Sequence, residues 1–181
     1  MNKVNNDNKL KNHFIIILIG WLGFIGFDLF LHAGLLAQLY HETSPSILDP
    51  LQAFYRIPFG YLAFFLYVAF LYWLILKSSL EDINDIRRFS VIVGLFMAVS
   101  STLAQYSILK INEFLLLGWG IGLLIEFLII GIIMSYLLNG FSSKRMLLYV
   151  ILFDLSLFLI TVIMQNIGLA PPLEVVFRVI L

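Results

Sequence analysis

Cysteine is missing altogether from this 181-residue chain. Without thiols there are no disulfides, thiolate nucleophiles, cysteine zinc sites or iron–sulfur clusters, and no cysteine to carry a lipoprotein anchor. Charge is nearly as scarce. Asp, Glu, Lys and Arg make up 12% of the residues, where a soluble domain carries about a quarter. Eleven acidic residues balance eleven basic ones, so no excess of charge invites nucleic acid. The hydrolase signatures G-x-S-x-G and H-E-x-x-H are missing. So is any internal repeat, which argues against a complete inverted-repeat transporter in one chain.

What fills the chain instead is apolar. Hydrophobic residues are 61% of the total and the mean hydropathy is +1.00. Five apolar segments, at roughly 14–37, 58–77, 89–110, 114–138 and 146–168, are each long enough to cross a hydrocarbon layer that takes about 20 residues to span. The expected fold is an all-α, single-domain integral membrane bundle of five transmembrane helices. Residues 1–13, rich in Asn and Lys, read as a disordered tail, and residues 169–181 as a short amphipathic tail with Glu174 and Arg178 paired one turn apart. The first apolar stretch exceeds the ~7–15 residues of a signal-peptide core and contains Asp28 and His32, so it reads as an uncleaved span.

Basic residues orient the bundle. Lys3, Lys9, Lys11, Lys77, Arg87, Arg88, Lys144 and Arg145 fall on one side, and only Arg56, Lys110 and Arg178 on the other. Positive charge is retained in the cytoplasm, which predicts a cytoplasmic N-terminus, an extracytoplasmic C-terminus and a multi-pass protein of a bacterial inner (plasma) membrane. Asp49-Pro50 reads as an N-cap with proline in the first turn of a helix that Pro58 would kink. Ser78 and Ser79 ahead of Glu81 and Asp82 read as the capping start of the third helix. Arg87 and Arg88 are expected near lipid phosphates. Span two, with eight aromatic residues and no ionisable group before Lys77, reads as a peripheral, lipid-facing helix.

Four ionisable residues lie inside the spans: Asp28 and His32 in span one, Glu126 in span four and Asp154 in span five. At a rise of ~1.5 Å per residue, Asp28 lies about 21 Å from the start of its span, Glu126 about 18 Å and Asp154 about 12 Å from the same side. All three carboxyls therefore fall in or near the middle third of a ~30 Å hydrocarbon core. Thr161 and Gln165 continue the face of Asp154, and Gln105 of span three reaches the depth of His32. An isolated charge at the bilayer centre costs at least ~2.5–3.5 kcal/mol. That cost demands an offset: protonation, pairing with His32, a bound cation or water. The expectation is that spans one, four and five meet around a common interior site, with span three completing the wall. Span four also holds Gly118 and Gly122, a G-x-x-x-G that marks close helix packing.

The plainer reading of Asp28 and His32 is an ion pair or hydrogen bond one turn apart that holds span one in register. The functional reading is a proton or cation relay, in which a carboxylate tunes an imidazole that changes charge near neutral pH. A third reading places a divalent metal on Asp28, His32 and Glu126, a hard donor set suited to manganese, iron or magnesium. Bis-histidine haem does not fit, because His13 and His41 sit at opposite faces. His41 and Glu42 read as a solvated loop pair. No cofactor other than such a metal is indicated, and an enzyme is the less favoured class.

The stretch GWLGFIGFDLFLHAGLLAQLY in span one resembles the opening helix of small, uncharacterised bacterial membrane proteins grouped as domains of unknown function, which also hold an Asp and a His four apart. The resemblance covers about twenty residues, implies a prokaryotic inner-membrane protein and brings no activity with it. Five-span, tryptophan-rich sensory proteins share the length and span count, but three tryptophans and no Pro/Trp-rich signature set this chain apart from them.

The reading that follows is a permease-like protein that binds or moves a proton, cation or small solute. Asp28 and Glu126 would accept charge, His32 would partner the proton, and Asp154, Gln105 and Gln165 would line the site. The alternatives are a metal-dependent intramembrane enzyme on the same residues, or an accessory subunit whose polar residues only pack. The bilayer is the one certain partner, and a homo-oligomer the candidate assembly.

Overall fold

A computed structural model describes residues 3–41, 47–48 and 50–171. Among them are five long helices and no strand: α1 Lys3–Phe30, α2 Pro50–Lys77, α3 Ile83–Ile108, α4 Glu113–Leu138 and α5 Ser143–Asn166. All five are long and apolar enough to cross a membrane, an architecture suited to a multi-pass membrane protein. Their lengths follow from composition, since long runs of Leu, Ile and Phe with few interior charges leave nothing to satisfy the backbone in lipid except helix hydrogen bonds.

The helices end where the chemistry of their termini changes. Asp82 caps α3, its carboxylate accepting from the backbone N–H of Asn84 at 2.7 Å and of Asp85 at 3.2 Å. The expected Ser78/Ser79 cap is thus displaced by three residues, because Ser79 is used in a left-handed turn at φ 50°. Asn112 caps α4 in the same way, over the N–H of Phe114 at 2.8 Å. Gly140, at φ 85°, closes α4 with a left-handed residue, and the Phe141 N–H reaches back to Tyr136 O. Pro50 opens α2 as expected, and α2 runs on through Pro58. The proposed cap Asp49 and the tail beyond Pro171 lie outside the described residues.

The N-terminal stretch differs from its expectation. Residues from Lys3 onward continue α1 rather than forming a disordered tail. Once the apolar span has nucleated a helix, adding each further residue costs little, even for Asn and Lys.

Helix α1 occupies the centre. It touches α2, α4 and α5, whereas α4 and α5 barely meet, and α3 packs along the opposite flank of α4. Within the apolar 18-residue stretch of each span, half of the residues are buried in α4 and 44% in α1, against 22% in α2, 17% in α5 and 11% in α3. The peripheral helices are therefore α2, α3 and α5, as expected for span two. One face of α2 nevertheless packs inward. Its Phe64 stacks on Phe24 of α1 with ring centres 4.4 Å apart, and its Tyr67 meets Phe127 of α4. Val68, Leu71 and Ile75 close the main core with Ile130 and Met134 of α4. Its other face, including Phe59 and Trp73, is exposed.

Small residues set the helix spacing. A Cβ at Gly94 of α3 would lie 2.5 Å from Cβ of Phe127, and one at Gly131 of α4 the same distance from Cβ of Ser90. Both helices therefore approach more closely than any larger residue would permit. At the α2–α3 end, Arg87 is held by protein as well as facing outward. Its Nε donates to Ser135 Oγ at 3.3 Å, and its guanidinium lies 4.8 Å over the Tyr136 ring.

Candidate functional site

Helix α1 changes character just past Asp28. After Phe30 the backbone widens into a π turn, Leu31–Leu35, closed by Leu36 N–H to Leu31 O at 2.8 Å. A tighter 3₁₀ turn, Ala37–His41, follows. One π turn inserts a residue into the helix and re-aims every side chain after it, which is why such turns accompany functional sites. Here the re-aimed side chains include His32, and the 3₁₀ turn brings Tyr40 back over it.

The result is a continuous hydrogen-bonded series. His32 Nε2 lies 3.2 Å from Asp28 Oδ1. His32 Nδ1 meets the Tyr40 hydroxyl. The indole Nε1 of Trp119, on α4, donates to the Tyr40 oxygen at 2.6 Å. The donor inventory fixes the direction of the series. Trp119 can only donate, so Tyr40 accepts from it and turns its own O–H toward Nδ1. The imidazole then presents Nε2–H to the Asp28 carboxylate. Both imidazole nitrogens, the Tyr40 hydroxyl and the Trp119 N–H are each used. Burial raises the Tyr40 pKa, the Trp119 hydrogen bond opposes that rise, and the negative Asp28 nearby adds to it. The net shift is upward, so Tyr40 keeps its proton and remains a donor at neutral pH.

Asp28 is 8% exposed and Glu126 3%. The two meet through the α1–α4 register. A Cβ at Gly122 would overlap Leu31 Cδ2, and one at Gly20 would lie 2.9 Å from Ile130 Cγ2. Glu126 stands midway between Gly122 and Ile130, level with the Phe24–Asp28 stretch of α1. Asp28 is within electrostatic reach of both Glu126 and Tyr40. It follows Phe24 by one turn on the face that packs against α2, so the walls of this site are α1, α2 and α4. His32, with a side chain 37% exposed, forms the margin of the site toward the α1–α2 connection.

The other expected members lie elsewhere. Asp154 packs against the opposite face of α1, where a Cβ at Gly26 would overlap its carboxyl group. Gly26 and Asp28 are two residues apart, about 200° around a helix of 3.6 residues per turn, so they face opposite ways. The expected common site of spans one, four and five is thus divided by α1 itself, and α2 takes the place foreseen for α3. Gln105 lies one turn beyond Thr102, which meets Gly120 on the α3 flank of α4. The body of α4 stands between it and Asp28. Gln165 of α5 donates to Ala33 O at 3.3 Å, and so holds the π turn from its far side. Among the described residues, no group of three His, Asp or Glu side chains is gathered as a metal site would require.

Tyr40 and Trp119 are the participants that sequence reading does not single out. An aromatic eight residues after a histidine is unremarkable in a regular helix, where it would point some 80° away. Only the π and 3₁₀ turns make it a partner. The one available signal is Trp119 itself, an indole N–H flanked by Gly118 and Gly120 at a depth where a donor needs an acceptor.

No family model, curated protein or solved structure matches the chain. The geometry alone carries the functional reading.

Proposed function

We propose that this chain is a permease-like inner-membrane protein with a cytoplasmic N-terminus, which binds or moves a proton or small cation through the Asp28–Glu126 site. The observation that supports it most is the unbroken series Trp119–Tyr40–His32–Asp28. It runs from the half-exposed margin at the α1–α2 connection to a carboxyl group buried beside a second one. A proton arriving at Tyr40 passes to Nδ1 as the hydroxyl gives up its own. The Nε2 proton then passes to Asp28. Because Tyr40 strongly holds its proton, it gives one only as it receives another, which makes it a conductor rather than a reservoir.

In this reading Asp28 and Glu126 share the arriving positive charge and His32 is the proton partner. Gln165 steadies the π turn, and Asp154 belongs to a separate face. The distribution of basic residues supports the orientation. A bundle held only by polar packing would not need two buried carboxyls within electrostatic reach of each other, since like charges in a low dielectric oppose assembly.

The test is passive proton uptake into proteoliposomes loaded with a pH-sensitive dye, driven by a potassium diffusion potential. Wild-type protein is expected to raise the uptake rate over empty vesicles, and Asp28→Asn and Glu126→Gln to lower it at least tenfold while remaining folded. Wild-type vesicles indistinguishable from empty ones for protons, sodium and potassium would overturn the proposal. So would a folded Asp28→Asn protein with an undiminished rate.

A further inference from the structure

On the opposite side of α1, the α1–α5 seam opens into a groove of about 400 Å³. Its walls are apolar, with Leu22, Leu29 and Phe30 from α1 facing Leu155 and Phe158 from α5, and Asp154 set into its floor. Several of these walls are themselves exposed, including Leu22, Leu29, Leu155 and Phe158, so the groove opens sideways, toward where lipid would be. The size falls in the range of small-molecule sites, about 300–1,000 Å³.

The floor carries an anomaly. Asp154 Oδ1 is buried and has no hydrogen-bond partner. Buried polar atoms nearly always have one, and those that do not need an explanation. Among the described residues, nothing in the seam offers a donor. Gly26 supplies only the gap that admits the carboxyl, and the Thr161 hydroxyl donates to Leu157 O at 3.0 Å. The charge belongs to no ion pair among the described residues, since Asp28 and His32 face away on the far side of α1. Oδ1 itself is enclosed against Gly26, so the groove meets the remainder of a half-buried carboxyl group that has no ion-pair partner among the described residues, set in an apolar pocket open from the side between two phenyl rings. Phenyl faces attract cations, and a carboxylate in such a setting is stabilised by a positive charge that can itself tolerate apolar surroundings.

We infer that the α1–α5 groove is a binding site for a lipophilic organic monocation, with Asp154 as its counter-ion and Phe30 and Phe158 against its apolar body. A small hydrated metal ion does not suit it, because one carboxyl cannot replace a hydration shell. The inference stands apart from the Asp28–Glu126 proposal, with which it shares no side chain.

The experiment is equilibrium dialysis of the purified full-length chain in dodecyl maltoside against tetraphenylphosphonium, with protein-free micelles as the baseline. Tetraphenylborate, nearly the same shape with the opposite charge, is measured in parallel. Saturable binding of one tetraphenylphosphonium per chain is expected, at least tenfold tighter than tetraphenylborate. Asp154→Asn should weaken it at least tenfold, and Asp28→Asn should leave it unchanged. Leu155→Arg, which sets a fixed positive charge at an exposed position on the groove wall, should abolish tetraphenylphosphonium binding without removing the carboxyl, and it decides the matter if the Asp154 variant does not fold. Equal binding of the two ions, no saturable binding by wild type, or full binding by Leu155→Arg would each overturn the inference. If proton uptake fails while this binding persists, only the relay falls.

Discussion

Gly122→Ala tests the register on which the Asp28–Glu126 site depends. The added methyl would overlap Leu31 Cδ2 and lie 3.4 Å from Cγ and 3.6 Å from Cδ1. Leu31 is 6% exposed and belongs to the π turn, so it has little room to turn aside. Overpacking of this kind costs about 1–3 kcal/mol, and the strain falls on the segment that carries His32. Leu31→Ala alone opens a void instead. In a soluble core such a change costs about 2–5 kcal/mol. Here the alternative surroundings are detergent or lipid, as apolar as the bundle, so mainly the lost contacts remain and about 1–2 kcal/mol is expected.

The informative quantity is the coupling. In the double variant the methyl introduced by Gly122→Ala occupies space that the Leu31 side chain has vacated. The combined loss should then fall short of the sum by about 1–2 kcal/mol, within the range measured for touching pairs. The assay is reversible SDS-induced unfolding of the purified protein in mixed micelles, followed by tryptophan fluorescence. Gly60→Ala serves as a reference, since a Cβ there meets nothing within 4 Å and alanine is the better helix former by up to about 1 kcal/mol. Gly122→Ala at or above wild-type stability would refute the register. So would additive losses, with a coupling below ~0.3 kcal/mol, and the pairing of Glu126 with Asp28 would go with it.

Two further perturbations probe the other ends of the structure. Tyr40→Phe removes the hydroxyl that joins Trp119 to His32 and leaves two nitrogens unpaired, at about 1–3 kcal/mol for each one that water does not reach; the indole N–H resonance of Trp119 should move, and a resonance that stays in place would discount the series. The raised Tyr40 pKa also makes a stability contribution that is complete below the ordinary tyrosine value of about 10 and is lost as pH climbs through the raised one, so alkaline denaturation should be less steep in Tyr40→Phe. Asp82→Ala should lower stability by about 0.5–2 kcal/mol through loss of the α3 cap, while Ser78→Ala should be silent; the reverse order in a thermal scan would restore the cap expected from the sequence.

The membrane architecture was open to reading because it is written in long averages. A run such as Ile15–Ile19 or Phe127–Ile133 needs no partner to declare itself apolar, and the bilayer imposes the length. Depth was legible for the same reason, since a rise of ~1.5 Å per residue is nearly constant; Glu126 does stand level with the end of α1 that holds Asp28. The cap of α3 was less so. Ser78, Ser79, Glu81 and Asp82 all have capping chemistry, and the choice among them turned on the backbone of Ser79, which composition does not report.

Depth, however, is one coordinate of a helix residue and azimuth is the other. Each residue advances about 100°, so a shared depth says nothing of a shared face. Asp28, Glu126 and Asp154 agree in depth, yet the two-residue offset between Gly26 and Asp28 sends Asp154 and Glu126 to opposite sides of α1. Azimuth is also fragile where depth is not. The π turn at Leu31–Leu35 changes the rise of α1 only slightly but shifts the facing of everything beyond it by one residue's rotation. That shift allows Tyr40 to come back onto His32 and Ala33 O to receive Gln165. A polar residue inside a span is therefore placed along the membrane normal by its own sequence, and around the helix by the glycines of its neighbours. In this chain Gly26 admits Asp154 on one side of α1, and Gly122 admits Leu31 on the other, so the two carboxyl environments are separated by the packing of one helix.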